Sequence, residues 1–258
     1  MTTMLTDTFL EELAQGRLVQ LNNALMHEYQ RLYPKRCRVL GEDNLKAFCM
    51  YTSQKAYEYG ASNYGDLKTY SFVAWVLGTG FNDDPLYPEI QSILQSEDDF
   101  ESKMEEIEEL VSSRYYLHTT EQLEAYMQAL QKLLTINIAK VKDITNYTQV
   151  TALLKAIYPQ RMEMLGGEIH MHEALKYACH EKILRYNINH PIGIFIYATL
   201  VFFLGHKVDD DPLYAWARLY LNDDEPRMAY KLDRLVKVIE KRVRNLQREM
   251  QMSLEELR

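Results

Sequence analysis

The chain has 258 residues, 47% of them hydrophobic and 26% charged, with a formal net charge of −8. That size and apolar content exclude a disordered chain and supply one large core or two smaller ones. The negative balance argues against a nucleic-acid binder with a generally basic surface, and 10 Gly with 7 Pro are too few for the turns of an all-β protein.

In chain order, Met1 to Asp7 lacks the basic start and apolar run of a secretory signal, so a cytoplasmic protein is expected. Phe9, Leu10, Leu13, Leu18, Leu21, Leu25 and Leu32 then form one stripe at helical spacing. The same rhythm predicts helices over residues 7–32, 43–59, 66–78, 86–95, 99–114, 120–140, 147–157, 168–186, 191–204, 213–221 and 226–250. Nothing alternates with period two, so the fold class is all-α. The most apolar segment, Ile192 to Leu204, is shorter than the about 20 residues a bilayer crossing needs and reads as a buried helix.

One loop occurs twice. Leu77-Gly78-Thr79-Gly80-Phe81-Asn82-Asp83-Asp84-Pro85-Leu86-Tyr87 reappears as Leu204-Gly205-His206-Lys207-Val208-Asp209-Asp210-Asp211-Pro212-Leu213-Tyr214. The match extends outward: Tyr33-Pro34, Arg36 and Leu40-Gly41 pair with Tyr158-Pro159, Arg161 and Leu165-Gly166, and Lys55, Tyr59 and Tyr70 pair with Lys182, Tyr186 and Tyr197. Two tandem multi-helix repeats follow, residues 1–140 with a joining helix and residues 141–258. Residues 20–112 are expected to superpose on 147–237 through an approximate two-fold. Within each loop, Gly78 or Gly205 closes a helix as a left-handed cap, and Asp84 or Asp211, directly before Pro85 or Pro212, caps the next. The repetition is thereby explained by folding alone.

Candidate chemistry is sparse. Asn82-Asp83-Asp84 and Asp209-Asp210-Asp211 offer oxygen ligands but lack the spacing of a calcium loop. The span from His170 to His190, with His172, Cys179, His180, Glu168 and Glu173, holds zinc-ligand residue types without HExxH or paired CxxC spacing; a metal-dependent enzyme there is the alternative from another functional class. No GxSxG, GxxxxGK[ST] or GxGxxG is present, and no catalytic residue, cofactor or metal is expected. Cys37, Cys49 and Cys179 read as free buried thiols. Charge is uneven. Glu97 to Glu109 is acidic apart from Lys103, whereas the corresponding C-terminal stretch carries Arg227, Lys231, Arg234, Lys237, Lys241, Arg242, Arg244 and Arg248. That basic helix has an apolar stripe for docking, and its other readings are a contact with the acidic helix, within the molecule or in a homodimer, or a membrane or nucleic-acid surface.

The Leu-Gly-x-x-(Phe/Val)-x-Asp-Asp-Pro-Leu-Tyr signature resembles that of small helical bacterial proteins associated with type VI secretion and polymorphic-toxin effectors. Their loop is often followed by Pro-Trp, of which Tyr87-Pro88 and Ala215-Trp216 each keep a part. The resemblance covers the two loops and their flanking helices and transfers no functional residue. It implies a cytoplasmic, non-enzymatic protein-binding role: an immunity protein that occludes a secreted toxin domain, or an effector adaptor or chaperone. The partner expected is a basic protein, with no nucleic acid and no membrane. Asp98, Asp99, Glu105, Glu106, Glu109, Tyr115 and Tyr116 are its candidate interface.

Overall fold

The computed structural model describes residues 7–117, 119–136, 141–144, 146–223, 225 and 227–257. Every regular element among them is helical. They are α1 (Asp7–Leu32), α2 (Pro34–Leu40), α3 (Glu42–Glu58), α4 (Tyr64–Leu77), a 3-10 turn at Phe81–Asp83, α5 (Pro88–Leu94), α6 (Phe100–Leu110) with a π turn at Val111–Tyr115, and α7 (Thr120–Leu134). The second half holds α8 (Tyr147–Ile157), α9 (Pro159–Met164), α10 (Gly167–Arg185), α11 (Pro191–Leu204), a 3-10 turn at Pro212–Tyr214, α12 (Ala215–Leu221) and α13 (Met228–Leu257). Residues 1–6, the end of the expected 120–140 helix at 137–140, and residue 226 lie outside the described residues.

Local sequence chemistry sets the ends. Asn63 with Asp66, and Thr119 with Gln122, form reciprocal capping boxes that satisfy the orphan amides opening α4 and α7. Asp99, Asn146 and His190 cap α6, α8 and α11 with single side-chain acceptors. The sequence periodicity missed α2 and α9. Both are short, begin with Pro at the first helical position after a Tyr, and are too brief to show a stripe.

Packing joins the halves. α3 lies against α1 and α4, α10 against α8 and α11, and α3 also meets the Pro212–Tyr214 turn of the second half. One continuous cluster of buried apolar side chains runs from Leu25 through Phe48, Tyr70, Trp75 and Tyr87 to Tyr197, Phe202 and Leu235. The joining helix α7 packs on α13 and α8, so it belongs spatially with second-half helices. Helix α13 docks by Leu232, Leu235, Val238 and Val243 on α7, α11 and α12, as an amphipathic terminal helix should.

The two Asp-Pro loops do more than stop and start helices. Asp84 Oδ1 accepts from the Leu86 amide at 2.9 Å, while its Oδ2 accepts from the His206 amide of the other loop, also at 2.9 Å. Asp211 does the reverse, accepting from Leu213 N at 2.8 Å and from Thr79 N at 2.7 Å. Asp211 caps its 3-10 turn as expected. Asp84 does not cap α5, which starts later, at Pro88 with Tyr87 before it; it closes a local turn at Leu86. Nor are the glycines left-handed helical. Gly78 and Gly205 have φ of 98° and 99° with ψ of 156° and 162°, an extended positive-φ region that is essentially glycine-only. This geometry aims the next amide, Thr79 or His206, at the opposite aspartate. A Cβ at Gly78 would stand 2.9 Å from the Leu204 carbonyl, and one at Gly205 would stand 3.0 Å from the Leu77 carbonyl.

Each aspartate therefore satisfies two amides, and truncation orphans both at about 1–3 kcal/mol apiece. Asp84→Ala and Asp211→Ala should each cost roughly 2–5 kcal/mol by denaturant unfolding, beyond the about 0.5–2 kcal/mol of a lone cap. Because both hold the same interface, the double variant should lose less than the sum of the two. Additive losses below about 1 kcal/mol each would show that the loops are not joined this way.

Candidate functional site

The acidic segment is displayed on α6. Asp99 opens the helix by accepting from the Ser102 amide at 2.9 Å, and this hydrogen bond holds its carboxyl below the usual aspartate range. Met104, Ile107 and Val111 bury against α4 and α5. This apolar face orients Glu101, Glu105, Glu106, Glu108 and Glu109 to solvent, where none has a cation partner among the described residues. Asp98 is also exposed and held by the Ser96 hydroxyl at 2.8 Å. Like charges four apart, as at Glu101, Glu105 and Glu109, oppose helix formation, and Glu108 and Glu109 sit at the negative end of the helix dipole. Local helix physics disfavours this placement.

The two tyrosines part company in the π turn after α6. Tyr115 is only 4% exposed and packs edge-on against Tyr87 at 5.1 Å. Burial pushes its hydroxyl up to about 12. It is a core residue, and its expected place in an interface is corrected: four residues after Val111 and eight after Ile107, it continues the buried stripe of α6. Tyr116 is half-buried beside Phe72 at 5.8 Å and near Tyr33. An aromatic-edged hollow of about 240 Å³ opens there between α1, α4 and α6, lined by Leu25, Tyr33, Phe72, Glu28, Lys68 and Glu108, with Lys68 paired to Glu28 at 2.8 Å. Its aromatic residues come from helices far from α6 in sequence, so no local pattern could announce it.

The histidines do not converge. His172 Nε2 lies 3.5 Å from Glu173, His190 Nδ1 accepts from the Ile192 amide at 3.2 Å, and His170 packs on Gly166. Cys179 is fully buried and its thiol is pushed up by that burial. Among the described residues no group of three His, Cys, Asp or Glu side chains is placed to hold a metal.

Asp209 has the densest polar surroundings. Its buried carboxylate is held by the Lys182 ammonium, by Tyr186 Oη at 2.6 Å and by Tyr197 Oη at 3.0 Å. Burial opposes its ionisation, and the Lys182 and tyrosine donors outweigh it, leaving the carboxyl below the ordinary range. The corresponding first-half residues are Asn82, Lys55, Tyr59 and Tyr70; Asn82 donates to Tyr59 Oη at 3.2 Å, Lys55 turns to Glu58, and the Tyr70 hydroxyl has no partner among the described residues. The sequence pairing of Lys182, Tyr186 and Tyr197 with Lys55, Tyr59 and Tyr70 marked these positions but not the aspartate that unites them. With every donor satisfied and the carboxylate sealed from solvent, the cluster is a polar core network.

Comparison with protein-family models, curated proteins and solved structures finds no match. No helix among the described residues is long and apolar enough to cross a membrane.

Asp211 also sets a pH response. Burial raises Asp211 to about 6, against the pull of the Thr79 and Leu213 amides. Its unfolded value is about 3.9, so between about pH 4 and 6 the folded chain holds a proton that the unfolded chain lacks. The contribution to stability is therefore greatest below about pH 4 and is lost as pH rises through 6, on the order of 3 kcal/mol. The difference in unfolding free energy between wild type and Asp211→Asn should shrink over that interval; a difference that is flat from pH 4 to 7 would contradict the assignment.

Proposed function

We propose that this chain is a cytoplasmic, non-enzymatic protein-binding protein, an immunity protein that occludes a basic toxin domain. The observation that carries this reading is the glutamate face of α6: five exposed carboxylates without cation partners among the described residues, of which Glu108 and Glu109 stand at the negative end of the helix dipole. Charge placement that costs helix stability has a rationale when the face meets a partner. The hollow beside it, with Tyr33 and Phe72 walls and Glu108 at its edge, suits the aliphatic stem and charged head of a Lys or Arg, while Glu28 there is already paired with Lys68 at 2.8 Å. Such a surface steers a basic domain at long range and supplies desolvated contacts at short range. The same reading takes the chain as an internal duplication, supported by the exchange of hydrogen bonds between Asp84 and His206 and between Asp211 and Thr79.

Copurification with the product of a neighbouring gene would identify the partner. Reversing charge at Glu105, Glu106 and Glu109 to Lys should then slow association by about tenfold at low salt and flatten its salt dependence. The melting temperature should change little, because exposed charges contribute little to stability. An unchanged association rate and salt response would remove α6 from the interface.

A further inference from the structure

A second site lies away from the acidic helix, where α2, α7, α11, the Pro212–Tyr214 turn and α13 leave a cavity of about 280 Å³. Most of its wall is aliphatic and aromatic, with Leu130, Leu200, Phe203 and Leu246 prominent. Its charged groups are both cationic. Arg36 and Arg242 line it, and neither has a carboxylate within ion-pair distance among the described residues, although the chain as a whole is acidic. Each guanidinium is braced by an indole: Arg36 lies 4.1 Å from the Trp75 ring centroid and Arg242 lies 5.5 Å from that of Trp216.

The Tyr126 and Tyr214 side chains also line the cavity, and each feels the positive field of Arg36. Burial pushes the Tyr126 phenol up to about 12 and raises Tyr214 as well, so both stay protonated and able to donate at neutral pH. Two braced guanidinium forks and two phenol donors thus line a hollow that has no carboxylate in its wall. Two guanidinium groups at the edge of an apolar-walled cavity, with no carboxylate within ion-pair distance among the described residues, offer charge-assisted donors to an anion that enters it.

We propose that this cavity binds a medium-chain carboxylate. The carboxylate sits on the Arg36 and Arg242 side, where a planar fork matches it bidentately, and the alkyl chain lies among Leu130, Leu200, Phe203 and Leu246. The volume lies just below the about 300–1,000 Å³ of drug-sized ligand pockets, which fits one flexible chain better than a nucleotide. Helix α6 contributes nothing to this wall, so the site stands independently of the proposed partner surface.

The chain's 2 tryptophans are the two that brace these arginines, so intrinsic fluorescence reports on the site directly. Titrating the full chain with decanoate should give a saturable change, and 1-decanol should bind at least about tenfold more weakly. Arg36→Gln and Arg242→Gln should each weaken decanoate by about tenfold and leave decanol unchanged, with calorimetry giving the affinities. Arg36 is solvent-exposed and Arg242 half-buried, and thermal melts check that each variant folds; if Arg36→Gln fails, Arg242→Gln alone decides. No saturable binding up to about 1 mM decanoate, equal affinity for decanoate and decanol, or unchanged decanoate affinity in a folded Arg242→Gln variant overturns the proposal.

Discussion

The arrangement of the whole molecule depends on two carboxylates that reach across the chain. Asp84 and Asp211 are 1% and 3% exposed, yet each receives one amide from its own loop and one from the other. A buried carboxylate is costly unless its lone pairs are occupied, so these hydrogen bonds tie the position of one loop to the conformation of the other. Gly78 and Gly205 make the approach feasible, since a side chain at either would strike the opposing helix-end carbonyl. The C-terminal ends of α4 and α11 are thus held face to face. Lys207 adds an ion pair to Asp83 at 2.6 Å, and Arg161 crosses to Tyr87 Oη at 3.2 Å while also donating to the Phe202 carbonyl at 2.5 Å.

From that junction the surfaces follow. Helix α6 is pinned on α4 and α5 by Met104 and Ile107, and this fixes which of its glutamates face water. The arginine-lined cavity lies along the seam where α2 of the first half meets α11 and α13 of the second, so it exists only when the halves are joined. The polar clusters at Asp209 and at the loops are saturated with internal donors, and saturation of that kind marks a role in holding the fold. The α6 carboxylates and the Arg36 and Arg242 guanidinium groups, which have no ion-pair partner among the described residues, are where binding chemistry is available.

Much of this was legible in the sequence. The apolar rhythm located α1, α8 and α11 with their ends, and the repeated Gly and Asp-Pro positions singled out the junction. Their meaning was only partly readable: spacing along the chain indicates a cap, but an acceptor shared with an amide more than a hundred residues away leaves no local signature. The short helices α2 and α9 are too brief for periodicity, whereas the inward place of Tyr115 was legible, since Met104, Ile107, Val111 and Tyr115 fall at helical spacing. The cavity escaped, since Arg36, Tyr126, Tyr214 and Arg242 come from four separate elements.

Hydrogen exchange at the Thr79 and His206 amides tests the junction most directly. Both donate to carboxylates of the opposite loop, so they should exchange only when the molecule unfolds globally, with the same protection as buried amides of α4 and α11. Fast exchange at these two amides, at rates typical of loops while the helices remain protected, would show that the halves are not locked through Asp84 and Asp211.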